Sequence, residues 1–184
     1  DVYKRQALGT GGYSPAGLHG AVERVAEPLI AQSRLVFHYA MYAVESVTDT
    51  LLAEVLRAGT KYPALEDVCR IHRVEEARHM SFAASNFIDE YRRASWIRKL
   101  LARILAPAIA TAIYEVLIPP SVYLRAGVAS TTREAWSLWL SSHRSRPRMH
   151  LRAKSMGRVT RLLNNAGAAG PGSRFVWRLL GVEL

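Results

Sequence analysis

Cysteine is nearly absent from this sequence. Cys69 is the only one in 184 residues, so no disulfide can form within the chain, and a reducing, cytoplasmic compartment is the default expectation. Long apolar runs are missing too. No 18 consecutive apolar residues occur, and the nearest stretch, "LLARILAPAIATAIYEVLI", is interrupted by Arg103, Pro107 and Glu115. That excludes an obvious membrane span and leaves a buried or partly buried helix. Lysine is scarce: 21 of the 25 basic residues are arginine, and the net charge is +10. Such a balance favours acidic partners in principle, although an Arg- and Ala-rich composition also follows from a GC-rich genome. The glycines of "ALGTGGYSPAGLHG" are not followed by Lys-Ser/Thr and no strand precedes them, so a phosphate-binding loop is excluded.

Alternating apolar and polar residues are absent, and helical periodicity is present almost throughout. The pattern predicts a helical stretch from about Leu18 to Ala58 with a break at Pro28, helices over Ala64–Arg93 and Trp96–Leu117, and another from Thr132 to Ser142 with Thr132 as its cap. Gly59 and Pro63 read as a helix stop and restart. "SVYLRAG" reads as a turn. "HRSRPRMH" reads as broken by Pro147, with a helix from His150 to Asn165 and a last short one, capped by Ser173, over "RFVWRLLGV". The fold class is all-α, a helical bundle in one domain.

One segment carries chemistry. "IHRVEEARHM", residues 71–80, holds two histidines and two glutamates without proline or glycine. His72, Glu76 and His79 lie at i, i+4 and i+7, within about 60° of one another on one helix face. Arg73, Glu75 and Arg78 fall on its flank, as solvated or ion-paired residues. A zincin needs a histidine directly before the glutamate, and Glu75 stands there instead. A facing carboxylate is available. Glu45 lies as far before the turn at residues 58–63 as Glu76 lies after it, which predicts that the two share one height between antiparallel helices. His38, Met41, Tyr42 and Asp49 share the face of Glu45. Two carboxylates and two imidazoles are costly to bury without a cation, and this donor set suits a pair of iron or manganese ions. A surface ion-pair network is the bland alternative.

The spacing Glu45-x26-His72-x3-Glu76-x2-His79 resembles the second half of the p-aminobenzoate N-oxygenase family, which are ferritin-like non-haem di-iron oxygenases. The resemblance implies that Glu45 is a ligand mainly to one iron, that Glu76 bridges both, and that His72 and His79 are imidazole ligands. It implies O2 activation at a di-ferrous pair, oxygen transfer to an amine or another electron-rich atom, an electron donor, a small-molecule substrate and a homodimer. The family's first-half Glu and Glu-x-x-His have no counterpart here: Glu23 and Glu27 lack a suitable histidine. "DVYKRQ", residues 1–6, resembles a translated sequencing-adapter end, so residues 7–184 are expected to be the C-terminal half of one such domain, inactive alone. His143 and His150 are seven apart, but Pro147 replaces the glutamate between them. His19 and His38 read as surface or satisfied helix histidines, and Cys69 as core packing. Two other function classes stay open: a ferritin-like module whose site holds zinc or nothing, and a nucleic-acid or membrane-surface binder built on "HRSRPRMHLRAKSMGRVTR", a segment that otherwise reads as a solvated helix face.

Overall fold

A computed structural model describes residues 33–117, 119–143, 145–180 and 182. These form seven helices and no strand: α1 (Arg34–Ala58), α2 (Pro63–Arg93), α3 (Trp96–Leu117), α4 (Ser121–Arg125), α5 (Thr132–His143), α6 (Arg146–Asn165) and α7 (Pro171–Leu179). The expected all-α bundle is what the chain adopts. The expected Gly-rich loop, the helix before Ser33 and the histidine His19 lie outside the described residues. Among the described residues no helix is long and apolar enough to cross a membrane.

Local chemistry sets most of the helix ends. Ser33 caps α1, its hydroxyl accepting the Val36 N–H at 3.4 Å. Gly59 ends the helix with φ 74°, a value that strains any residue with a Cβ. Pro63 opens α2, where its missing N–H costs nothing. The same rule corrects the reading of Pro147. It sits in the first turn of α6, so the helix begins at Arg146 rather than His150. "SVYLR" is a short helix, not a turn. α5 is capped by Thr131 and not Thr132: the Thr131 hydroxyl accepts the Glu134 N–H at 3.2 Å, and the Glu134 carboxylate accepts the Ser130 N–H at 2.8 Å. α7 starts at Pro171, and Ser173, inside its first turn, accepts the Gly170 N–H through its hydroxyl at 3.4 Å.

α1 and α2 run antiparallel through a four-residue link and form the most extensive helix pair, with α3 and α6 packed on α1. The core is one cluster. Leu35, Tyr39, Ala43 and Val47 of α1 meet Phe87 and Tyr91 of α2, Ala106, Ala110 and Tyr114 of α3, and Met156, Val159, Leu162 and Leu163 of α6, with Trp177 closing one end. The C-terminal half of α2 supplies that cluster, whereas its N-terminal half buries only Cys69 and Glu76. Leu65, Val68, Ile71, Val74 and Phe82 stay largely exposed. The stripe that carries the two histidines therefore lies where α2 is least covered.

Candidate metal centre

Four side-chain contacts fix how α2 lies on α1. His79 Nδ1 is 3.3 Å from Glu45 Oε1. The Ser46 hydroxyl reaches Met80 Sδ at 3.6 Å. The Thr48 hydroxyl lies 3.2 Å from Glu76 Oε2 and 2.9 Å from the Val44 carbonyl, which compete for its one proton, and Arg73 Nε donates to Asp49 Oδ1 at 2.8 Å. Glu76 reaches Thr48 and Glu45 reaches His79, contacts offset by three residues. Side chains lean toward the N-terminus of their helix, and in an antiparallel pair the two leans are opposed, so this offset leaves the expected common height of the Glu45 and Glu76 backbones standing. In the link, Tyr62 N–H donates to Thr60 Oγ1 at 3.2 Å and Thr60 N–H to Glu66 Oε1 at 3.4 Å.

The four residues form two carboxylate–imidazole pairs, one across this interface and one within α2. Besides Glu45–His79, His72 Nδ1 lies 3.6 Å from Glu76 Oε1 within α2. Among the described residues no three His, Cys, Asp or Glu side chains come together closely enough to enclose a metal ion. Glu76 is buried, Glu45 mostly covered, His72 half-exposed and His79 exposed at 55% of its side chain. The arrangement is an open half-shell and not a closed interior cage.

Its charges are unusual for this chain. The charged side chains buried among the described residues are Asp49, Glu76 and Arg152. Asp49 has two guanidinium partners, Arg73 and, 2.5 Å from its Oδ2, Arg158 Nη1. Arg152 has Glu115, 3.4 Å away. Glu76 has only the Thr48 hydroxyl and an imidazole. A buried carboxylate without a cation is disfavoured in its charged form. Two carboxylates and two imidazoles are donor types that suit a divalent metal, while the separations of 3.3 and 3.6 Å are those of carboxylate–imidazole pairs.

Two features escaped the sequence pattern. Arg73 is not merely a flank; it crosses to Asp49. The basic segment is not a simple solvated face either. Arg148 and Arg152 turn inward to Glu115, at 3.0 and 3.4 Å, and His143 Nδ1 lies 3.0 Å from the same carboxylate. Lys154 pairs with Glu54 at 2.6 Å. The one sequence signal was that Glu115 sits in an apolar stretch, residues 104–118, and needs a partner. His143 belongs to this ion cluster, while His150 is exposed. His38 is buried between the edges of Phe37 and Phe82, and its Nδ1 has no hydrogen-bond partner. Cys69 is buried and free, as packing predicts.

The sequence model of p-aminobenzoate N-oxygenase AurF matches residues 6–167. The chain belongs to the p-aminobenzoate N-oxygenase family. No curated protein and no solved structure matches it significantly. The match takes in α1, α2 and nearly all the core, so the helical bundle and the open half-shell both lie within the segment that the family shares. A ferritin-like bundle is that family's fold, and iron-dependent oxygenation is its chemistry.

Proposed function

We propose that this protein is a non-haem di-iron oxygenase that inserts oxygen at the nitrogen of a small amine, with Glu45, His72, Glu76 and His79 as iron ligands. One observation carries the reading: Glu76, alone among the buried charged residues described, has no permanent opposite charge. Its second partner, His72, is an imidazole of the kind that ligates metals when neutral. Two irons, when bound, supply the electrons that activate dioxygen. The chain's own residues do the rest. Glu76 and Glu45 supply negative charge that holds cations, and the histidines complete the donor set without adding charge.

The half-shell also supports a second half. Val68, Ile71 and Phe82 flank the ligand stripe on its uncovered side, within about 80° of His79 around α2. Further helices carrying a Glu and a Glu-x-x-His would cover that apolar flank and close the shell together. On this reading residues 7–184 are the C-terminal half of one domain, and the substrate, dioxygen and the electron donor meet at the joint.

Iron content decides the matter. In the full-length protein, loaded with ferrous iron without oxygen and then desalted, about two irons per chain are expected, as for di-iron carboxylate bundles. Glu76→Ala and His79→Ala should each lose most of that iron and all oxygen-dependent amine turnover. Full iron retention in both variants would remove these residues from the ligand set. Zinc instead of iron, with no turnover, would point to a non-catalytic bundle.

A further inference from the structure

We infer that Asp49 is a positioning residue, which fixes the height at which α2 offers His72 and Glu76 to α1; this rests on the ligand reading above. Asp49 lies one helical turn after Glu45 on α1, and its side chain is only 4% exposed. Its two oxygens are taken by different helices. Oδ1 accepts Arg73 Nε of α2 at 2.8 Å, and Oδ2 lies 2.5 Å from Arg158 Nη1 of α6. Arg73 directly follows His72 and precedes Glu76 by three residues. Arg158 also reaches Met80 Sδ at 3.8 Å, the same sulfur that Ser46 of α1 touches, and Met80 directly follows His79. The stripe from His72 to His79 is therefore tied down next to both of its ends, and each tie leads to α6 as well as α1.

The chemistry suits positioning better than stability alone. A buried carboxylate shared by two arginines is a costly way to hold helices together, since apolar residues of equal volume often do as well. What the ion triad adds is direction. A guanidinium donates along a fixed plane, so Arg73 Nε on Asp49 favours the present register of α2, whereas an apolar contact tolerates sliding more readily. Glu76 and His79 lie three residues apart on α2, and sliding by that rise, roughly 4.5 Å, would exchange the partners of Glu45. Asp49 itself touches no ligand; it acts through Arg73 and Arg158.

The experiment is a ferrous-iron titration of the full-length apoprotein without oxygen, paired with its thermal melt. Asp49→Asn should weaken iron binding about 10–100-fold, the range for residues that orient ligands, and Asp49→Glu should recover part of it. If Asp49→Asn does not fold, Arg73→Lys carries the same expectation, because it keeps the charge and loses the Nε donor. Glu115→Gln is the control. It breaks the buried ion cluster between α3 and α6, so it should lower the melt yet leave iron affinity within about twofold, well below that range. Unchanged affinity in Asp49→Asn, or equal weakening in Glu115→Gln at the same loss of melting temperature, overturns the inference. Full iron in Glu76→Ala would instead strike the ligand reading and take this inference with it.

Discussion

Tyr39→Phe should destabilise the protein at neutral pH and stabilise it in strong alkali. The Tyr39 ring is 2% exposed and packs on Phe87 at 5.5 Å between centroids, while its hydroxyl donates to the Ala106 carbonyl at 2.6 Å. Phenylalanine keeps the ring and loses the bond. The Ala106 carbonyl is inside α3 and keeps its ordinary helical donor, so the loss is a net hydrogen bond and not an orphaned group, about 1 kcal/mol. Burial also pushes the Tyr39 hydroxyl well above the ordinary tyrosine range. An acid whose folded pKa is raised favours the fold while it is protonated. Its contribution is complete below the unfolded pKa, about 10, and then falls by about 1.4 kcal/mol per pH unit until the folded pKa is reached. Phenylalanine has no such loss. The two stability curves should therefore cross near about pH 10.6, where the alkaline penalty equals the hydrogen bond. Guanidinium unfolding of both proteins from neutral pH to about pH 11 measures this, since the tyrosines they share cancel in the difference. A difference that stays constant across that range would mean that the hydroxyl reaches solvent and that α1 does not dock on α3 as described.

Leu163→Ala, at a side chain 1% exposed, should cost about 2–5 kcal/mol; Leu140→Ala, 58% exposed on α5, should stay within about 0.5 kcal/mol in the same unfolding assay. Residues 7–184 produced alone should associate in sedimentation, because Val68, Ile71 and Phe82 form an exposed apolar flank among the described residues. A compact monomer with two bound irons would overturn the half-domain reading.

What could be read without a structure followed from periodicity. His72, Glu76 and His79 share a face because 3.6 residues make a turn, and the α1–α2 hairpin followed from Gly59 and Pro63. Which side chains would meet did not follow, because counting residues to a turn gives backbone height and not the opposed lean of side chains on antiparallel helices. The α6 start was misplaced since proline breaks helix interiors but suits first turns, and only the backbone tells which applies. The partners of Asp49 and Glu115 were illegible for a different reason. Arg158 is 109 residues from Asp49, and such pairs depend on how α6 docks, which no local pattern encodes.

The charge balance ties these threads together. Basic residues outnumber acidic ones 25 to 15, so carboxylates have cations to choose from, and several have taken them: inside, Asp49 holds two arginines and Glu115 two arginines and a histidine, and at the surface Glu54 holds Arg57 and Lys154. Glu45 and Glu76 have neither arginine nor lysine within ion-pair distance among the described residues, although Arg73 and Arg78 are on the same helix as Glu76. Arg73 is drawn off by Asp49, and Arg78 lies about 160° around α2 from Glu76. Among the described residues, permanent cations are thus absent from the space between Glu45 and Glu76, and the imidazoles of His72 and His79 border it; an imidazole is a side chain that can hold a metal once it has given up its proton. In a chain this basic, the space left without a fixed positive charge is where a metal is to be looked for.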